Sequence, residues 1–468
     1  MLHQAHNCGS VSVHAASPCR GPRGRSGAVT SHLRTHWWCL VAVLWLTAVC
    51  GCGESEPPLG TAAQSSGVYV YWDTNEEQDV LLPSGQIAKL VPPWDPNGQM
   101  CILPDGSGRF VTGYNPTLPS QHNPGSLKPY KNPPVGESLW DRHGNFLQTI
   151  YVPGPYGLPG SDIGGDIPAD VGSTFCTDGT TTGHCTSDAD CSPGSHCSGT
   201  FNDNGTFTGC AFDSKGNLFA ADIGQAQGSN ASPDQGRIIE WFPPDYNTFC
   251  IIIGPTQGGD TGTPHHVNGT GGLKNPGLMA VDSDDNLYVP ESGALRVLKF
   301  DHATLPRSAA DCGADGLLTP AAPHEVFIKP GGAPGAIAWD PTCNCWAVSN
   351  VGAGIPLFGN APAISWFDTN GVAFKGKGPV PSVPVGQPDS FTPFGLGVSP
   401  TGDVFFVDIH LHCDANGCGP TDPFGGIFKV TFAGGTPSTP ERITGGLNFP
   451  VGLTVCDGSK QVCPEPAS

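Results

Sequence analysis

One phrase recurs four times in this chain: an apolar run, a tight polar turn, a second apolar run. It reads GCAFDSKGNLFAAD at 209–222, GLMAVDSDDNLYVPE at 277–291, GAIAWDPTCNCWAVS at 335–349 and GLGVSPTGDVFFVD at 395–408. Two short apolar runs joined by Asp, Asn and Gly make a β-hairpin. The residue that closes the first run is Asp213, Asp282, Asp340 and Ser399 in turn, and it returns about every 60 residues, the signature of a solenoid or propeller and not of one irregular core. The DSDDN run at 282–286 has the look of a calcium loop, but it lacks a spaced bidentate Glu and reads as a hairpin turn.

Each hairpin has two followers. They are 236–242 and 248–254, then 294–301 and 324–329, then 363–368 and 371–376, then 425–432 and 441–446. Four short strands are the content of one propeller blade. An earlier unit is drawn from 100–114, 137–144 and 146–151. The ends complement each other: FPVGLTVCDGSK at 449–460 supplies a first strand and turn, while 67–73 and 86–91 have no opening hairpin of their own. Joined, they make a sixth blade and remove the exposed sheet edges of an open ring. The expected fold is all-β, a six-bladed β-propeller over residues 67–463 whose last blade is closed by the N- and C-terminal strands. With 66 glycines and 48 prolines in 468 residues, turns are plentiful, and they fall between the apolar runs.

The first 52 residues read differently. They hold Arg20, Arg23, Arg25 and Arg34 with no lysine and no acid, then the apolar stretch 37–53. That is a secretory leader, too short for a comfortable membrane span of ~20 residues. Val49-Cys50-Gly51-Cys52 resembles a bacterial lipobox, with Cys52 the residue to be lipidated; 53–66 reads as a flexible tether. The resemblance implies an exported protein of the cell envelope, an outer-membrane lipoprotein facing periplasm or cell surface. The formal charge of −20 becomes more negative once the leader's arginines are removed, so the surface repels nucleic acid and anionic membrane, and any membrane attachment rests on the lipid.

Five of the 19 cysteines lie in the leader, leaving an even number for a disulfide framework. Cys176, Cys185, Cys191 and Cys197 cluster in an insert at 152–204 between the first and second blades, where two staples would hold a coreless loop. Cys413 and Cys418, like Cys456 and Cys463, are spaced to close small loops, whereas Cys343 and Cys345, one residue apart at a hairpin tip, are expected to pair elsewhere. There is no Cys-x-x-Cys-His for haem c, no phosphate-cradling loop for a nucleotide and no G-x-S-x-G elbow.

The pattern P-x-G-apolar-x-x-x-x-G-N-L-Y-V-x-D, best seen at 276–291 and 393–408, resembles the NHL repeat of six-bladed propellers related to gluconolactonases. The resemblance implies that the long loops gather at one mouth of the central channel: 152–204, 223–236, 254–272, 351–362 and 409–425. Nine residues beyond each of Asp213, Asp282, Asp340 and Ser399 stands a polar residue, Asp222, Glu291, Ser349 and Asp408, and carboxylates converging on a channel there would hold Ca²⁺ through oxygen ligands. The resemblance implies instead that these residues bond neighbouring loops and hold the blades together. His410 and His412 follow Asp408, and strand alternation puts all three on one side, an Asp-x-His-x-His set suited to Zn²⁺. His265 lies in another loop of the same mouth. Two functions follow: a monomeric binding or scaffold protein that grips a protein, glycan or small molecule at the mouth, or a metal-dependent, lactonase- or esterase-like hydrolase.

Overall fold

The computed structural model describes residues 67–74, 78–91, 98–113, 137–150, 175–176, 197–198, 207–222, 236–254, 272–313, 316–352, 361–382, 392–414, 417–420 and 425–466. The hairpin repeat exists because of its turn. In 213–217, Asp213 Oδ1 accepts from Lys215 N at 2.9 Å and Asn217 N at 2.8 Å, while Asn217 Nδ2 donates to Oδ2 at 2.8 Å. Asp282 holds Asp284 N and Asn286 in the same way. These Asx turns satisfy the backbone donors a bare hairpin tip would expose. The residue before the Asn must take a left-handed conformation: Gly216 has φ 84° and, in the turn 282–286, Asp285 has φ 63°.

The hairpins sit in six antiparallel sheets, all meanders outward from the first strand. Blade 1 is Cys101–Ile102, Phe110–Gly113, Glu137–Trp140 and Phe146–Ile150. Blade 2 is Phe207–Phe212, Leu218–Asp222, Arg237–Phe242 and Thr248–Ile253. Blade 3 is Ala280–Val281, Leu287–Glu291, Arg296–Phe300 and Glu325–Ile328. Blade 4 is Pro334–Asp340, Cys345–Asn350 and Ile364–Phe367. Blade 5 is Pro393–Val398, Val404–Asp408, Gly425–Val430 and Glu441–Leu447. In blade 6 the C-terminal strand Leu453–Asp457 pairs with Val68–Asp73, followed by Gln78–Leu81 and Ile87–Val91. Leu453 lies opposite Trp72 and Val455 opposite Val70, so the two ends of the chain share one sheet.

Alternation gives each strand two apolar faces, and each face packs on a neighbouring blade. Val111 and Leu139 meet Leu218 and Trp241 between blades 1 and 2. Phe219 and Ile238 meet Val289 and Leu298 between blades 2 and 3. Tyr288 and Val297 meet Trp346 and Val348 between 3 and 4, and Ala347 and Trp366 meet Val404 and Phe406 between 4 and 5. Phe405 and Val407 meet Val70 and Trp72 between 5 and 6, and Tyr71 and Val80 meet Phe110 and Trp140 between 6 and 1. Six seams closing on themselves define a ring. Trp72, Trp140, Trp241 and Trp346 are fully buried in them, each contributing on the order of 3 kcal/mol.

Three details differ from expectation. In blade 4 the segment 371–376 is no strand; only isolated bridges, Phe367 to Ala373 and Ile364 to Val380, mark the outer edge. Lys377 turns inward there, its Nζ 2.5 Å from Asp340 Oδ2 and 2.7 Å from Gly402 O. Cys343 and Cys345 bond to each other, because Asn344 at φ 53° folds the tip back and brings the two side chains together. Disulfides also cross the blades themselves: Cys101–Cys210 joins blade 1 to blade 2, and Cys250–Cys312 ties the edge of blade 2 to the 3₁₀ turn Ala309–Asp311. Cys456–Cys463 closes its small loop as expected. Cys413 is opposite Cys418, and Cys176 opposite Cys197, in backbone register; Cys52, Cys185 and Cys191 lie outside the described residues.

Candidate functional site

The expected site lies where second strands end and third strands begin. At that end the first strands of neighbouring blades come together at glycines. A Cβ on Gly277 would strike the carbonyl of Gly335, one on Gly209 the carbonyl of Gly277, and one on Gly452 the carbonyl of Gly98. Leu278 N donates to Gly335 O at 2.9 Å across one of these contacts.

The polar residues ending the second strands face the seams between blades. Asp222 shares a face with Leu218 and Ala220, which pack in the seam of blades 1 and 2. Glu291 shares a face with Val289 in the seam of blades 2 and 3, and Asp408 with Phe406 in that of blades 4 and 5. Each is engaged there. Arg237 Nε and Nη2 both reach Asp222 Oδ2 at 2.9 Å, with both side chains fully buried. Glu291 Oε1 accepts from Lys274 N at 2.8 Å and Oε2 from Arg296 Nε at 2.5 Å. Asp408 Oδ1 accepts from Thr392 N at 2.8 Å and His410 N at 2.9 Å; burial pushes its carboxyl up, against the pull of those donors. In blades 3 and 5 these bonds fasten the incoming segment to the second strand, and in blade 2 the Asp222–Arg237 pair joins the second strand to the third.

Register corrects one member of the set. Pro334 pairs with Asn350, as Pro393 pairs with Asp408, so Asn350 is the equivalent residue and Ser349 its neighbour. The turn 340–345 is one residue longer than its counterparts, which defeats counting from Asp340. Ser349 faces the other seam, where its Oγ accepts from Ala336 N at 3.0 Å and donates to Phe394 O of blade 5 at 2.6 Å. Asp73 of blade 6 works similarly and escaped the sequence reading, since its hairpin is split between the termini. Its Oδ1 accepts from Gly452 N and Val451 N, and its Oδ2 from Gly98 N at 2.9 Å. Burial raises it to about 7, opposed by those backbone donors.

Two buried polar side chains at the start of third strands are not engaged among the described residues. Gln78, opposite Asp73, has both amide atoms without a hydrogen-bond partner, and Glu137, opposite Gly113, has Oε2 without one. Burial alone pushes Glu137 up to about 8.

The Asp-x-His-x-His set is not a continuous strand. The second strand stops at Asp408, His410 takes φ 46°, and 411–414 starts a separate hairpin with 417–420. A left-handed residue breaks period-two alternation, so the side on which His410 falls does not follow from that of Asp408. His412 is opposite Gly419 in backbone register; its side chain, like all of His265, lies outside the described residues.

Among the described residues, Asp222, Glu291, Asp408 and His410 form no three-ligand metal group. Two other groups do come together. Asp340, Cys343 and Cys345 is one, but its sulfurs are bonded to each other and Asp340 is taken by Thr342, Trp366 and Lys377. The other is Asp213, Asp285 and His302, from three separate turns of blades 2 and 3, at the end of the ring opposite the expected mouth. Its only trace in the sequence was the extra Asp of DSDDN.

No family model and no curated protein matches the chain. Solved structures do match in outline. One is a nidogen/laminin complex, at 10% identity over 85% of this chain and 100% of that one, TM-score 0.43. Another is regucalcin, a calcium-binding protein from Agrobacterium tumefaciens, at 13% identity over 75% and 81%, TM-score 0.40. A third, of unknown function from Bacteroides caccae, has 11% identity over 83% and 99%, TM-score 0.39. None of them lends this chain an activity or a ligand.

Proposed function

We propose that this protein is an exported, lipid-anchored binding module that grips a protein, glycan or small molecule with the loops at one end of its propeller. The observation that carries the reading is the engagement of Asp222, Glu291 and Asp408. The carboxylates best placed for channel chemistry are spent on Arg237, on Arg296 and on backbone N–H groups in three different seams. A group held so in a seam stabilises blade packing and is poorly placed to move a proton or hold a substrate. The leader and Cys52 support export and anchoring.

A second reading, a metal-dependent hydrolase, is favoured by one spot. Asp408, with its carboxyl raised by burial, and His410 lie beside each other at the base of the hairpin that carries His412. A Zn²⁺ held there would polarise a lactone or ester carbonyl.

One set of assays separates the readings. The purified chain is screened against glycan and small-molecule panels for saturable binding, and against lactones and aryl esters for turnover with and without EDTA. Binding without turnover is expected. EDTA-sensitive turnover abolished by Asp408→Asn and by His410→Ala establishes the hydrolase instead, and neither binding nor turnover rejects both. Cys52→Ser should move the protein from the membrane to the soluble fraction; a variant that stays membrane-bound removes the anchor from the proposal.

A further inference from the structure

We infer that the chain holds a divalent transition-metal ion, of the Zn²⁺ class, between blades 2 and 3 through Asp213, Asp285 and His302. The hairpin tip of blade 2 supplies Asp213, the hairpin tip of blade 3 supplies Asp285, and the turn His302–Thr304 after the third strand of blade 3 supplies His302. One ligand atom from each lies within 4.8 Å of the other two. Side-chain rotation of about an ångström closes that spacing to the ~3.5 Å between ligands of a tetrahedral ion bound at ~2.0–2.2 Å. Two carboxylate oxygens and one imidazole nitrogen suit Zn²⁺ or a similar ion, whereas Ca²⁺ and Mg²⁺ take oxygen ligands.

The backbone and a network of bonds hold the ligands ready. Ser214 N and Oγ donate to Asp285 Oδ1 and Oδ2 at 2.8 and 2.7 Å, joining the two tips. His302 N donates to Asn286 Oδ1 at 3.0 Å. Asp285 occupies, at φ 63°, the left-handed place that Gly216 fills in blade 2.

An independent observation points to a cation. Glu240, in the middle of the third strand of blade 2, is 0% exposed, and among the described residues neither of its carboxylate oxygens has a hydrogen-bond partner. Register fixes its direction. Glu240 is opposite Phe219, which is opposite Ala211, and Asp213 stands two residues beyond Ala211, so Glu240 and Asp213 share the blade 2 face that looks at blade 3. Asp213 is the foremost charge acting on Glu240, followed by Lys215 and Asp311. Two acids, Asp213 and Asp311, and one cation, Lys215, act on this carboxyl, which burial raises to about 9. A divalent ion at the hairpin tips supplies positive charge on the face that Glu240 shares with Asp213.

The ion would clamp two blades at the end of the ring opposite the mouth, so the inference stands whether or not a ligand is found there. The test uses the full mature chain, stripped with EDTA and dialysed, then titrated with Zn²⁺ by calorimetry and with Co²⁺ by visible absorption. One ion per chain, with the absorption bands of nitrogen-ligated Co²⁺, is expected. His302→Asn and Asp285→Asn, each confirmed folded by circular dichroism, should weaken binding more than ~10-fold, while His143→Ala on blade 1 leaves it unchanged. Asn tolerates the left-handed backbone, so Asp285→Asn removes the charge and keeps the turn. Folded wild type that binds no ion, or binding undiminished in both variants, overturns the inference. Binding that survives both and vanishes in His410→Ala puts the ion at the mouth and overturns it too.

Discussion

At the scale of single residues, the carboxylates of this ring divide by what each seam offers them. Asp222 meets a buried arginine, and Asp408 meets backbone donors, whereas Glu137 is enclosed with nothing among the described residues to satisfy Oε2. It faces the seam between blades 1 and 2, which Asp222 and Arg237 share from blade 2, but that arginine is bound to Asp222. Burial lifts Glu137 to about 8, well above the value of an unfolded chain. Between those two values the native state holds a proton that the unfolded state has released. Stability is therefore greatest below the unfolded value and falls as pH rises toward 8. Glu137→Gln should melt with the wild type at pH 4 and be more stable at pH 8, by on the order of a few kcal/mol. Urea denaturation at pH 4, 6 and 8 reads this directly; parallel curves would show the carboxylate ionised and paired. The sequence marked Asp222, Glu291 and Asp408 by their distance from a turn. It did not mark Glu137, because blade 1 carries Gly113 at the end of its second strand and its acid on the strand opposite. Nor did it bring Asp213 to His302, since nothing local relates a hairpin tip to a turn of the next blade.

At the scale of elements, the hairpin repeat was legible because its causes are local: alternation, an Asx turn, and a residue free to turn left-handed. The glycine that opens each first strand was visible as a motif, but its reason is non-local. Gly277 has no room for a Cβ because the carbonyl of Gly335, on the next blade, occupies that place. Neither backbone can yield without disturbing Leu278 N to Gly335 O. Gly277→Ala should therefore cost about 1–3 kcal/mol, the range for forced overpacking. Gly85→Ala is the comparison: its φ of 84° is unfavourable for alanine, yet no atom of the described residues lies within 4 Å, so about 1 kcal/mol is expected. Equal losses in denaturant midpoint would mean that the blades separate freely at this point. The lost edge strand of blade 4 has a similar origin. Residues 371–376 alternate well enough for a strand, but Lys377 is drawn in to Asp340, between the rings of Trp366 and Phe432, and the segment follows it.

At the scale of the whole molecule, the ring is held shut by one strand, Leu453–Asp457, and by what surrounds it. Asp73 binds Gly452 and Val451 on the C-terminal strand's approach and Gly98 at the entrance to blade 1, so one carboxylate joins three parts of the chain. Beyond the strand, Tyr69 Oη donates to Glu465 at 2.6 Å and Tyr71 Oη to Pro464 O at 2.7 Å, while Cys456–Cys463 folds the last loop onto the same sheet. Removing residues 449–468 takes away these bonds and exposes Val70 and Trp72 on one side and Phe405 and Val407 on the other. An open sheet edge and two bare apolar faces invite pairing with another copy. The truncated chain should therefore lose its single cooperative melt and associate, and adding back a peptide of residues 449–468 should restore the melt. Calorimetry and light scattering check both. A truncated chain that stays monomeric and melts as the full one does would show that five blades close by themselves and that the union of the two ends is dispensable.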